Sequence, residues 1–270
     1  MTTTQVRLPS TSRVIRSRAV VEIKEFFRQR EAVVFTVLLP VLLLAVFGAV
    51  LNYDIGFGVT FVQYFMAGII AAGILGASLQ NMAISIATER SDGTLKALAG
   101  TPMPKSAYFV GKVAQVLAVS VLIIGVLLLI GVLFYDIDMP SGGEWLTFAW
   151  VALLGAAACT LLGIAVSSLA KNGRSASATV TPIALVLQFI SGVFFLFSAL
   201  PTWMQTVAAV FPLKWMGQGL RSVFLPEQLA ASEPAGSWEL GRVALVLTAW
   251  CVVGLVLCVA TFRWQERGTR

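Results

Sequence analysis

Few groups in this 270-residue chain could do chemistry. There is no histidine, which removes Ser-His-Asp and Cys-His nucleophilic sites, histidine zinc centres and histidine proton relays together. The three cysteines, Cys159, Cys251 and Cys258, lie inside charge-free apolar runs, and an odd count without metal spacing reads as small packing residues. Gly111-Lys112 comes nearest to a phosphate-cradling G-x-x-x-x-G-K-[ST] loop, but Val113 follows it and the upstream glycine is missing. No catalytic or metal-ligating set is therefore expected. Two features remain: a polar row, Ser78, Gln80, Asn81 and Ser85, inside an apolar stretch, and the segment ATERSDGTLKALAGTPMPKSAYFVGK at 87–112.

The elements that hold these features are apolar and long. The chain is 58% hydrophobic and 12% charged, against about 25% charged residues in a typical soluble domain. A bilayer-spanning helix takes roughly 20 mostly apolar residues. The charge-free runs predict six of them, at about 32–51, 61–87, 113–135, 145–169, 180–199 and 243–262. The expected fold is thus an all-α integral membrane protein, with a cytoplasmic tail and interfacial helix at 1–31, a six-helix domain at 32–262 and a tail at 263–270. The first run is too long for a cleavable signal peptide and follows thirty-one mostly polar residues. Pro40 is expected to kink the first span, and Pro182 to fall in the first turn of the fifth. Gly68, Ala72 and Gly76, at four-residue spacing in the second, allow a neighbouring helix to approach closely.

Charge sets the expected orientation. Sixteen of the nineteen basic residues fall before the first span, between spans two and three, between four and five, and after six. Only Lys214, Arg221 and Arg242 lie in the other connections. The positive-inside rule then puts both termini in the cytoplasm, and the net charge of +6 reads as a topology signal, with no nucleic acid implied. Trp145, Trp238 and Trp264 fall where aromatic anchors belong. Residues 12–31 carry Ile15, Val20, Ile23, Phe26 and Phe27 on one arc, which suits an interfacial helix or simply the basic anchor of the first span.

Between Pro201 and Pro212 only ten residues intervene, about 15 Å of helix. That cannot cross a hydrocarbon core of ~30 Å, so 200–225 is expected to form two short helices dipping into the outer leaflet. In the charged segment Ser91 is the expected N-cap, Asp92 suits a helix start, and Gly100 with Pro102 ends the helix, giving a short cytoplasmic helix over 91–99. Leu95 and Leu98 are expected on its exposed side, fit for a partner's groove or for an ordinary structured loop. The polar row of span two suits either helix-to-helix hydrogen bonding or the lining of a substrate route.

Glu89, Arg90, Gly93, Thr94, Leu95, Leu98, Thr101 and Pro102 match a pattern, E-R-x-x-G-T-L-x-x-L-x-x-T-P, that resembles the signature of ABC-2 type transporter permeases, in the form of the bacterial drug-exporter branch. The later stretch with Ser191, Gly192, Leu200, Pro201, Trp203, Pro212 and Arg221 is similar to the same family's element after helix five, although Phe211 stands where asparagine is common. The resemblance implies a permease half that pairs with an identical or homologous half over two cytoplasmic ATP-binding subunits, which would hold the ATP and magnesium. It implies that the short helix after span two receives the ATPase stroke and that the N-terminal helix is a connecting helix. Spans two and five would line the exit path, so Ser78, Gln80, Asn81, Ser85, Gln188, Ser191 and Phe195 are the candidate path residues.

Phe189, Phe194, Phe195 and Phe197 suit a hydrophobic or amphipathic small-molecule cargo, or mere packing; lipid and polysaccharide exporters share the fold. A proton- or sodium-coupled carrier would want ionisable residues within its spans, and the six runs have none. An intramembrane enzyme lacks its base and its paired carboxylates. A non-transporting scaffold or sensor subunit remains an alternative.

Overall fold

A computed structural model of the chain describes residues 10–170 and 172–262. The expectations on residues 1–9, on Lys171 and on the tail with Arg263, Trp264, Arg267 and Arg270 fall outside that range. The chain is almost wholly helical. Helix α1 (Thr11–Arg28) is followed after a one-residue break at Gln29 by α2 (Arg30–Val50), within which Pro40 lies. A two-stranded antiparallel hairpin, β1 (Asp54–Gly56) and β2 (Val59–Thr60), then leads into α3 (Phe61–Leu75). No periodicity announces so short a hairpin. Its turn is marked by Gly56, Phe57 and Gly58, all at positive φ.

Thr60 and Gln63 form a reciprocal capping box at the start of α3, satisfying two of its orphan N–H groups. The helix continues through a π-helical turn at Gly76–Gln80 into α4 (Asn81–Ser91). This 31-residue rod is the core of the molecule: 89% of its apolar window is buried, against 11% for α2. At 1.5 Å per residue it runs to about 46 Å, which exceeds the ~30 Å hydrocarbon core by several turns. The helices α2, α6 (Lys105–Tyr135), α7 (Glu144–Val166), α8 (Gly173–Ile190) and α10 (Pro212–Phe224) pack around it. α11 (Leu240–Thr261) lies on α7 and α10.

Five helices are long and apolar enough to cross a membrane: Arg30–Val50, Phe61–Ser91, Lys105–Tyr135, Glu144–Leu169 and Leu240–Thr261. The span expected at 180–199 differs. Its helix begins seven residues earlier, at Gly173, and stops at Ile190, so Pro182 sits well inside it instead of in its first turn. The stop has a local cause. Gly192 adopts φ +70, and a Cβ there would lie 2.9 Å from Phe197 Cβ, so the chain turns at Ser191-Gly192 and cannot continue as a helix. A 3-10 turn at Phe197–Ala199, α9 (Thr202–Ala208) and α10 follow, with Pro212 in the first turn of α10.

The two ends of the bundle are distinct. The hairpin packs with Tyr64, Leu225, Leu229 and Trp238 at one end. At the other, Met82, Ile86, Leu95, Tyr108, Val116, Ile164 and Cys258 form a separate apolar cluster. α1 lies along α6 at that second end, where Gly111 lets it close in: a Cβ on Gly111 would stand 3.0 Å from Arg18 Cγ.

Candidate functional site

Three consecutive residues at the end of α4 tie four elements together. Glu89, 6% exposed, accepts hydrogen bonds from Tyr108 Oη (2.8 Å), from Ser85 Oγ (2.9 Å) and from Lys112 Nζ. Lys112, 2% exposed, also pairs at 2.8 Å with Glu22 of α1, which Arg18 contacts in turn. Burial pushes the Glu22 carboxyl above its usual range, opposed by Lys112 and reinforced by Glu89. Arg90 donates to Ser167 O (3.1 Å) and Ser167 Oγ (2.9 Å) just past the end of α7. Ser91 Oγ accepts from Gly173 N at 3.0 Å, holding the first residue of α8. A side chain at Gly173 would meet Thr88 Cα at 2.9 Å, so α8 can start there only as glycine.

The cluster of Arg18, Glu22, Glu89 and Lys112 balances two acids with two bases. It joins α1, α4 and α6 through direct ion pairs and hydrogen bonds. Of the candidate coupling and path residues read from the sequence, Glu89 belongs to it and Ser85 bonds to it. Glu22, Tyr108 and Lys112 were missed as a set. Their signal was present in Lys112, a cation at the mouth of an apolar run with Tyr108 one helical turn before it.

The short helix follows at once, as α5 (Thr94–Ala99), but its start differs from the expectation. Ser91 is the last residue of α4 and caps nothing ahead of it. Gly93 at φ +84 turns the chain, and Asp92 Oδ1 accepts from Thr94 N at 2.9 Å. Turned in this way, α5 folds back under the bundle. Leu95 is fully buried among Met82, Ile86 and Tyr108, and Leu98 is half-buried against the same cluster, so the expectation of two exposed leucines fails. The outward face is instead Lys96, Ala97, Ala99 and Gly100, continued by Thr101 and Pro102. Thr101 Oγ1 closes the turn on Leu98 O at 2.7 Å.

The candidate path residues do not converge on one cavity. Ser78 is buried and donates to Ile74 O of its own helix at 2.5 Å. Gln80 donates to Thr181 Oγ1 of α8 at 3.0 Å, and Asn81 to Thr36 Oγ1 of α2 at 3.5 Å. Ser85 joins the acid–base cluster. Asn81 and Ser85 border a cavity of about 290 Å³ that also touches Glu22, Glu89 and Lys112. Gln188 is half-buried, Ser191 is buried at the turn, and Phe195 faces outward. The π-helical turn spanning Ser78 and Gln80 went unforeseen. The backbone of α7 sits directly on it, since a Cβ at Gly163 would meet Leu79 O at 2.7 Å.

At the hairpin end the second motif is locked by a buried cation. Arg221 is wholly enclosed, donates to Gly192 O at 2.6 Å, pairs with Glu233 at 3.3 Å, and lies 4.3 Å from the centre of the Tyr64 ring. One side chain thus secures the Ser191-Gly192 turn to α10. Nearby Lys214, stacked 3.6 Å over Trp215 and bonded to Gln218, is lowered to about 8 by burial, against the pull of Glu233 and Glu239.

Comparison with known proteins agrees with this architecture. Residues 56–260 match the ABC-2 family transporter protein. Over 260 residues the chain is 23% identical to the putative transport permease YvfS of Bacillus subtilis, covering 94% of this chain and 98% of that one. It is 26% identical over 212 residues to the inner membrane transport permease YadH of Escherichia coli, covering 75% and 80%. It is 24% identical over 144 residues to the probable multidrug ABC transporter permease YbhR of Escherichia coli, covering 53% and 39%. With multiple apolar spans and a family match over most of its length, this multi-pass membrane protein belongs to the ABC-2 family of transporter permeases.

Proposed function

We propose that the chain is the permease half of an ATP-driven exporter, in which α5 receives the stroke of a separate cytoplasmic ATP-binding subunit. The observation that carries the reading is the Glu89-Arg90-Ser91 junction. A push on α5 is passed through Gly93 to α4, from α4 by direct bonds to α6, to α8 and to Ser167 just past α7, and from α6 through Lys112 to α1. Coupling through a short helix needs this kind of contiguous, rigid attachment.

In this reading both termini are cytoplasmic, two ATP-binding subunits supply ATP and magnesium, and a second permease half, identical or homologous, completes the pore. The motif residues Glu89, Arg90, Gly93, Thr94, Leu95, Leu98, Thr101 and Pro102 form and anchor the coupling element. The exposed Lys96, Ala97 and Ala99 make the contact. The cargo is a hydrophobic or amphipathic compound, supported by YbhR's description as a probable multidrug permease and by outward-facing Phe189 and Phe195.

Gentle purification of the tagged protein from its host, with mass spectrometry of the co-purifying chains, tests the class. A stoichiometric ATP-binding subunit whose hydrolysis rises with candidate compounds is the expected result. Its absence after crosslinking through Lys96 would leave a scaffold or sensor subunit as the better account.

A further inference from the structure

At the hairpin end of the bundle three polar groups go unmet around one small cavity. It holds about 30 Å³, and its lining includes Tyr64, Glu233, Trp238, Ser198 and Ser232. The Tyr64, Glu233 and Trp238 residues are all more than nine-tenths buried. Trp238 Nε1–H donates to no atom among the described residues. Glu233 Oε1 meets Arg221 at 3.3 Å, whereas its Oε2 accepts from nothing among them. Tyr64 Oη accepts from Phe197 N at 3.0 Å, but no described residue accepts from its own O–H. Buried polar groups are normally paired, so two donors and one acceptor left over around one gap call for a shared partner.

The same three residues are held by other bonds and are not free to turn towards one another. Arg221 fixes Glu233 and is itself fixed on Gly192 O at 2.6 Å. Trp238 O accepts from Gln218 Nε2 at 2.9 Å. Tyr64 is held between Phe197 N and the Arg221 guanidinium, 4.3 Å from its ring centre. The mixture of groups selects the partner. A cation would satisfy Glu233 and leave both donors unmet, while an anion would meet the donors and lie against a carboxylate. A water accepts from the Tyr64 O–H and the Trp238 N–H and donates to Glu233 Oε2, three of its four possible bonds. A water needs roughly 10–15 Å³ of such space, so the cavity admits one and is too small for an organic ligand. Ser198 and Ser232, both exposed, border it and open a way in from solvent. We infer that this cavity is the binding site of an ordered water that bridges Tyr64, Trp238 and Glu233.

The water completes the lock that Arg221 begins. Direct bonds join α10 through Arg221 to Gly192 and to Glu233, just past the 3-10 turn Glu227–Ser232. Through the water the same carboxylate also reaches Tyr64 in the first turn of α3 and Trp238 just before α11. The Ser191-Gly192 turn, α3, α10 and the start of α11 then share one polar network. Neither the exporter reading nor its cargo is needed for this site.

A crystal structure of the full chain that resolves ordered solvent, grown with bromide in place of chloride, tests it on the unaltered protein. The expected result is a single solvent peak within about 2.6–3.2 Å of Trp238 Nε1, Tyr64 Oη and Glu233 Oε2, with no anomalous signal. An anomalous peak there would make the site a halide site and overturn the inference. So would a direct bond from Trp238 or Tyr64 to Glu233 Oε2, or the lack of a peak where other buried waters are resolved. Nuclear magnetic resonance of the ¹⁵N-tryptophan-labelled chain in detergent gives a second reading, the Trp238 indole resonance being assigned by its loss in Trp238→Phe. Its indole proton should show a cross-peak to water, and Glu233→Leu should shift the resonance and remove that cross-peak. A wild-type indole proton without contact to water overturns the inference, as does a cross-peak that Glu233→Leu leaves unchanged.

Discussion

Replacing Lys112 with methionine isolates what the acid–base cluster contributes. The substitution keeps the length of the side chain and its apolar stem but removes the charge that faces Glu22 at 2.8 Å and also contacts Glu89. Both carboxylates are almost fully enclosed, and Arg18 reaches only Glu22. Breaking a buried ion pair by removing one partner costs about 3–5 kcal/mol. A chain of this size loses roughly 2–4 °C of melting temperature per kcal/mol, so the expected fall is on the order of 10 °C. The assay is thermal unfolding of the detergent-purified chain at two pH values.

The sign with pH is fixed by Glu22, whose carboxyl burial already holds above its usual value of 4.5. Without Lys112 its main opposing influence is gone, and the folded-state value rises further. A folded-state pKa above the unfolded one means that the native state holds the extra proton in between, so stability falls as pH rises through that window. Lys112→Met should therefore regain part of its loss between pH 7.5 and pH 5.5, and the further change Glu22→Gln should reduce its deficit at pH 7.5. A Lys112→Met protein that melts like the wild type, with no response to pH, would refute the cluster as the clamp between α1, α4 and α6.

Three further perturbations separate the remaining roles. Leu95→Ala, at a buried position, should destabilise the chain by about 2–5 kcal/mol, whereas Ala97→Arg on the exposed face of α5 should leave melting unchanged and abolish co-purification of the ATP-binding subunit; the reverse pattern would place the docking face on the leucines. A cysteine at Ser141 should react with an impermeant thiol reagent outside intact cells and one at Asn172 should not, and the opposite labelling would invert the orientation. Lys214 holds its proton less firmly in the folded chain, at about 8, than when unfolded. Its burial penalty should thus fade as pH rises from 8 towards 10, a gain in melting temperature that Lys214→Met removes.

The residues themselves determined the features that depend on local composition. Charge-free runs of spanning length mark helices wherever they occur, because no irregular backbone is tolerated against lipid, and the runs at 32–51, 61–87, 113–135, 145–169 and 243–262 correspond to the five long apolar helices. Pro201 and Pro212 divide the later segment into two short helices for reasons internal to proline. The Glu89 to Pro102 pattern marked the segment in which α4 ends and the short helix α5 forms.

What the tertiary structure alone decided is everything that depends on which residues meet at long range. Leu95 looks exposed on a two-turn helix until Gly93 at φ +84 folds that helix beneath Met82 and Tyr108. The fifth helix looks continuous to 199 until Arg221, 29 residues beyond Gly192, grips Gly192 O and holds the turn. Lys112 looks like a solvated flank of its span until Gly111 admits α1 and brings Glu22 to it. Hydrophobic runs state that a segment is buried in something; whether lipid or protein covers it is settled only when the other helices arrive, because the apolar side chains are compatible with both.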